Sequence, residues 1–176
     1  LTLDTTGPSL FKRGYRIEKG GAPLKENMAA ALVMLTNWRK DRPFYDPVCG
    51  SGTICIEAAL IGHNIAPGFN RSFTCETWDW VDPAIFEKVR NEAEAKADYD
   101  VELDICGSDV DGRMIEVARA NAEEVGLGDS ITFKQLALKD FTTEKEYGVM
   151  VANPPYGERL GEEESVRRLY KEMGHV

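Results

Sequence analysis

Histidine is scarce in this chain, and its cysteines are not paired in sequence. There are two histidines, His63 and His175, and four cysteines, Cys49, Cys55, Cys75 and Cys106, with no C-x-x-C spacing among them. A structural zinc site draws its ligands from such pairs, so no metal centre is expected. Cys49, Cys55 and Cys106 lie in apolar strand or helix contexts and read as reduced, buried thiols of a cytoplasmic protein. Long apolar runs are missing too. Nothing approaches the roughly 18 residues of a membrane span, and no signal peptide is visible. The chain opens on Leu1 without a methionine, which reads as a fragment boundary. Cations are outnumbered: 21 Lys and Arg against 30 Asp and Glu give a net charge of −9. That balance argues against strong autonomous nucleic-acid binding, because phosphate contacts require clustered cations. The cations do gather locally, in Lys12-Arg13-Gly14-Tyr15-Arg16 with Lys19 and Lys25, and again at Arg159, Arg167, Arg168 and Lys171. Each group reads equally well as solvated surface charge.

What is present is ordinary globular material. A length of 176 residues suggests one domain, and 43% hydrophobic residues suffice for a core. Residues 1–25, rich in Gly, Pro and Thr, read as a lead-in with a short strand candidate at 12–17. Met28, Ala31, Leu32, Leu35 and Trp38 recur at helical spacing and predict a helix from Glu26 to Trp38. Phe44-Tyr45-Asp46 predicts a buried strand, followed by a helix from about Thr53 to Ile61. Residues 62–82 look irregular. Asp82 and Pro83 then predict an N-cap and first turn, with a polar helix running to about Ala97. A strand at 103–108, a helix at 113–125 closed by Gly126, and strands at 131–135 and 149–152 follow. A last helix covers 163–173. This alternation predicts a parallel α/β sheet with right-handed crossovers.

Three loops at strand ends carry chemistry. "DPVCGSGT", residues 46–53, offers Asp46, Pro47, Cys49, Gly50, Ser51, Gly52 and Thr53 between the first strand and its helix. Glycines there let the backbone approach a ligand and open the helix N-terminus toward it. The third glycine of a G-x-G-x-x-G fingerprint is replaced by Cys55, and no Gly-Lys-Ser/Thr follows, so neither a dinucleotide fingerprint nor a P-loop is present. In "GSDVD", Asp109 ends the second strand and is suited to accept from both ribose hydroxyls of a nucleoside, while Asp111 suits a helix N-cap. Asp109 stands much further from the glycine loop than the roughly 20 residues of the fingerprint, because residues 62–100 intervene. In "NPPYGERL", the two prolines cannot extend strand four, so Asn153, Pro154, Pro155 and Tyr156 form a stiff corner. The Asn153 side-chain oxygen and the Pro154 carbonyl are two acceptors matched to one planar –NH2, and Tyr156 offers a ring on which a base can stack.

Together these three loops resemble class I S-adenosylmethionine-dependent methyltransferases of the N-P-P-Y, amino-methylating group. "FKRGYR", "APLKENMAAAL", the Trp78/Trp80 insertion and "NPPYGERL" extend the resemblance over nearly all of the chain. They are similar to the methyltransferase domain of bacterial THUMP-associated rRNA guanine-N2 methyltransferases. The resemblance implies a Rossmann-like parallel sheet flanked by helices, with S-adenosylmethionine as cofactor and a guanine of rRNA, 23S foremost, as substrate. It also implies an RNA-binding THUMP domain preceding this one in the parent chain, and neither membrane nor metal as a partner. Residues 26–176 would then be a partial methyltransferase domain whose last strands are absent. Strand four would lie beside strand one, with an open outer edge next to an uncovered apolar sheet face. Many such enzymes bind the adenine amino group through an acid near the end of strand three. Here that stretch reads Leu136-Ala137-Leu138, so Asp140 is the nearest candidate. Two other readings stay open at this point. One is adenine-N6 or protein-glutamine methylation through the same corner; the other is nucleotide binding without catalysis.

Overall fold

The computed structural model describes residues 1–16, 24–155 and 163–175. In chain order the elements are α1 (Glu26–Leu35), β1 (Phe44–Asp46), α2 (Thr53–Gly62), α3 (Pro83–Glu94), β2 (Ile105–Asp109), α4 (Gly112–Glu124), β3 (Ile131–Gln135), β4 (Val149–Met150) and α5 (Glu163–Met173). Short 3-10 turns lie at Thr74–Thr77, Gly128–Ser130 and Leu138–Asp140. The four strands form one parallel sheet in the order β3-β2-β1-β4. Strand four does lie beside strand one, and among the described residues its outer edge has no further strand.

The hydrophobic centre sits between the sheet and α1, α2 and α4. Phe44, Ile105, Ile131 and Phe133 on the strands meet Ile54, Cys55, Ile56, Ala58 and Ala59 of α2 and Ile115, Ala118 and Ala122 of α4. Within α2 only Ile61 is exposed, because α1 packs against α2 on the side away from the sheet. A helix apolar nearly all round is stable only when buried nearly all round. The opposite sheet face is mixed. Tyr45 is buried there under Phe141, in an edge-to-face contact at 5.2 Å. Cys106 is half-buried, and Thr132 and Lys134 are exposed. The expected uncovered apolar face is therefore largely polar.

Most boundaries follow the sequence reading, and the exceptions have physical causes. α1 stops at Leu35 because Trp38 turns inward, packs edge-to-face on Phe44 at 5.3 Å and donates its indole N–H to the Arg42 carbonyl at 2.8 Å. α3 ends at Glu94, short of Ala97. β4 closes at Met150, although the Val151 N–H still donates to the Tyr45 carbonyl at 2.9 Å. Residues 12–16 form no strand. Side chains hold them instead. Tyr15, 1% exposed, donates its hydroxyl to Glu57 Oε1 at 3.0 Å, and Arg13 reaches both Glu57 oxygens at 3.4 Å. Burial raises the Glu57 pKa even with Arg13 and Tyr15 in place. Burial, reinforced by the Glu57 charge, raises that of Tyr15. The first local cation cluster is thus partly consumed in structure.

Gly52 fixes where α2 begins. Its φ is +80°, and a Cβ there would stand 2.9 Å from Phe133 Cζ and 3.0 Å from Ala118 Cβ. Gly50, with φ +50°, faces open space. Gly50→Ala should therefore cost about 1 kcal/mol of left-handed strain. Gly52→Ala should cost that plus overpacking, about 2–4 kcal/mol in all. Denaturant unfolding of both variants checks the order; equal losses would mean that Phe133 does not set the helix position.

Candidate functional site

The carboxyl edge of the sheet gathers most of the candidate residues. Tyr45 pairs with Met150 and Asp46 with Gly107, so the loop after β1, the end of β2 and the Asn153 corner leave adjacent strands at one level. That is the edge where open α/β sheets bind ligands. The loop is tied down by the backbone. Cys49 N–H donates to the Ser108 carbonyl at 2.8 Å, and Gly52 N–H donates to the Cys49 carbonyl at 2.8 Å. Asn121 of α4 donates to the Ser51 carbonyl at 3.1 Å. Pro47 is buried within this turn. The Ser51 and Thr53 hydroxyls stand 3.3 Å apart at the start of α2.

Asp109 joins the loop to the second strand. One carboxylate oxygen accepts from Gly50 N–H at 3.0 Å, the other from Asp111 N–H at 2.9 Å. A carboxylate offers about four lone-pair sites, so acceptor capacity remains for two hydroxyls. Asp111, by contrast, caps α4, its side chain accepting from Arg113 N–H at 2.9 Å. Val110, between them, is an apolar side chain 69% exposed. It was passed over in the sequence reading, where its position between two acids was the available signal.

Asp46 is 1% exposed and accepts a hydrogen bond from Val48 N–H at 3.2 Å. Burial pushes its pKa up to about 8, the Asp109 charge adds to the rise, and the Val48 bond opposes it. Cys49 is also buried, and its thiol is held far above the ordinary range, first by burial and then by the Asp46 charge. Cys49 is therefore no nucleophile. Asn153 and Pro154 are half-buried and Pro155 is exposed at the corner after β4; Tyr156 lies outside the described residues. Asp140 closes the exposed turn after β3, its N–H donating to the Ala137 carbonyl at 2.9 Å. Its carboxylate bonds to none of the other candidates among the described residues. Among those residues no group of three or more His, Cys, Asp or Glu could hold a metal ion, and no helix is long and apolar enough to cross a membrane.

A parallel sheet with a glycine turn after its first strand and an acid ending its second is a Rossmann-like α/β arrangement, and the solved structures it resembles include methyltransferases. Residues 13–176 match the family described as RMKL-like, methyltransferase domain, and the chain belongs to that family. Among curated relatives, the Bacillus subtilis protein named "Putative RNA methyltransferase YpsC" is 63% identical over the whole chain, which covers 46% of that protein. "Ribosomal RNA large subunit methyltransferase K/L" of Shewanella baltica is 42% identical over 99% of the chain, which covers 25% of it. The chain thus spans about half, or a quarter, of the length of these relatives. The solved structure of SMU.472, complexed with SAH, is 63% identical with a TM-score of 0.93, over 98% of this chain and 45% of that one. A Listeria monocytogenes structure described as "a predicted N6-adenine-specific DNA methylase" is 66% identical with a TM-score of 0.94, over 98% and 46%.

The raised pKa of Asp46 has a signed consequence. Its folded value, about 8, exceeds the ordinary 3.8 of the unfolded chain. Its contribution to stability is therefore full below about pH 4 and is lost as pH rises toward 8. Asp46→Asn keeps an oxygen for Val48 N–H without the charge. Its stability should match the wild type near pH 4 and exceed it by pH 8. Thermal unfolding across that range checks this, and parallel curves would count against a protonated Asp46.

Proposed function

We propose that this chain is the chemical part of an S-adenosylmethionine-dependent RNA methyltransferase that modifies the N2 amino group of a guanine in ribosomal RNA. The observation that carries the reading is the common edge shared by the Gly50–Gly52 turn, Asp109 and the Asn153-Pro154-Pro155 corner. Support comes from membership of a methyltransferase family, from the SAH held by SMU.472, and from the RNA and rRNA in the names of the curated relatives. The residues fit such a cofactor. Gly50 leaves open space in front of the turn, and Asp109 has unused acceptor capacity beside the exposed Val110.

When bound, S-adenosylmethionine supplies a methyl group made electrophilic by its sulfonium. In this reading Asp109 would accept from the ribose hydroxyls, Val110 would lie against a face of the base and Asp140 would accept from the adenine amino group. Asp46, Pro47, Cys49, Gly50, Ser51, Gly52 and Thr53 form the cradle. A guanine amino group is a poor nucleophile because its lone pair is delocalised into the ring. Accepting its two N–H bonds at Asn153 Oδ1 and the Pro154 carbonyl favours a pyramidal nitrogen and aims the lone pair. Both contacts strengthen as the nitrogen gains positive charge, so they stabilise the transition state more than the ground state. Pro155 stiffens the corner, and Tyr156 stacks on the substrate base. No side-chain nucleophile is required, and the proton of the methylated nitrogen would leave to water. The acidity of the chain fits RNA capture by a THUMP domain elsewhere in a longer parent, residues 26–176 serving as its methyltransferase part behind the lead-in.

A second reading, adenine-N6 methylation, is favoured by the description of the Listeria relative. Mass spectrometry of nucleic-acid digests from a deletion strain and its parent separates the two. Loss of N2-methylguanosine from rRNA is the expected result, and loss of N6-methyladenine would overturn it. In the full-length protein, Asp109→Ala should weaken SAH binding by about 1.5–3 kcal/mol in calorimetry. Asn153→Ala should leave that affinity within a few-fold and slow single-turnover transfer by about 10²-fold or more. Near-normal transfer by the second variant would remove the corner from the mechanism.

A further inference from the structure

The apolar repeat that marks α1 in the sequence does not point at the core. The buried residues of α1, which packs on α2, are Glu26, Ala29 and Val33. Of the repeat, Leu32 is half-buried, while Met28, Ala31 and Leu35 are exposed. At 3.6 residues per turn these three share one side of the helix with Asn27 and Met34. Met28 is 53% exposed, Met34 74% and Leu35 83%. Asn27 is the one polar side chain on that side, and Glu26, the one charged residue of α1, is buried. Ala31 lies among the larger side chains, a notch of the kind that receives a side chain from another element.

Singly exposed apolar side chains are ordinary, but a helix side made of them is not. The other helices show the contrast: the exposed positions of α3 include Glu87, Lys88 and Glu92, and those of α4 include Glu116, Glu123 and Glu124. A helix apolar on both sides requires cover on both. RNA is an unsuitable cover, because cations and stacking rings hold it and this side has neither. A second copy is unsuitable as well. α1 has ten residues, a length of about 15 Å. Two such sides meeting fall well short of the roughly 1,200 Å² that a stable association of separate molecules buries. A contact that small does hold between tethered parts, because a linker raises their effective concentration to about millimolar. The chain covers 46% of its Bacillus subtilis relative, so most of a parent of that length lies outside it and is available to dock.

We propose that Met28, Ala31, Met34 and Leu35 form the docking surface for the remaining part of the longer parent chain, which meets them with an apolar surface of its own. This rests on the longer-parent reading above and is independent of which base is methylated. Docked there, the remaining part is held against the element that leads into β1.

Hydroxyl-radical footprinting of the natural full-length protein tests this without a substitution, because methionine sulfur oxidises according to its exposure. In dilute, monomeric protein without RNA, Met28 and Met34 should oxidise more than about 5-fold slower than in the same protein unfolded in urea. Lysine cross-linking of the same sample should join Lys25 or Lys40, which flank α1, to lysines outside the 176 residues. Oxidation within that factor of the unfolded rate would overturn the proposal. So would protection that arises only at high protein concentration, the mark of a second copy, or only with rRNA. Cross-links from both lysines confined to the 176 residues would overturn it too. A natural protein whose intact mass is that of these residues alone would overturn the longer-parent reading, and this proposal with it.

Discussion

The site depends on how closely α2 is allowed to approach the sheet. Phe133 projects from β3 into the space beneath the start of that helix, and two glycines make room for it. A Cβ at Gly107 would lie 2.8 Å from the Phe133 ring and 3.0 Å from Cys55 Sγ, and one at Gly52 would lie 2.9 Å from the same ring. With both positions bare, α2 settles onto β1 and β2 with its first turn level with the strand ends. The open N–H groups of that turn then face the edge where Asp109 and the Asn153 corner also emerge. Any side chain at these glycines would tilt the helix or push Phe133 aside, and the three loops would lose their common level.

Burying acids around such a helix has an electrostatic cost, and the chain meets it in three ways. Glu57 is held by Arg13 and Tyr15. Glu26 is paired with Arg16. Among the described residues Asp46 has a backbone donor and no cation beside it, and burial and the neighbouring Asp109 raise the pKa of its carboxyl.

The segment before α1 belongs to this electrostatic design. Arg71 donates to the carbonyls of Thr6, Pro8, Ser9 and Lys12, fastening the first residues to the insertion after α2. Arg90 of α3 ties that insertion to its own helix through the Phe69 and Arg71 carbonyls and Glu76. Arg13 and Arg16, from the cation group that the sequence shows ahead of α1, are likewise drawn into backbone and carboxylate contacts.

Local signals were strong enough to fix much of the architecture. Alternation at Ile131, Phe133 and their neighbours located β3 at both ends, Asp82-Pro83 capped α3 as expected, and the glycines and prolines marked where strands give way to functional loops. These features are written in short-range sterics: a proline without an N–H, a glycine at positive φ, a carboxylate two residues before an open amide. The end of α1, the absence of a strand at 12–16 and the true employment of Arg13, Tyr15 and Arg16 were not legible. Each is decided by a partner distant in sequence, Phe44 for Trp38, Glu57 for Arg13 and Tyr15, Thr53 for Arg16. The raised pKa of Asp46 belongs with them, because desolvation is a property of what surrounds a group in space. The sequence by itself determined which strand ends would carry the candidate residues. Only the tertiary structure decided which charges were spent on the fold and which were left facing the site.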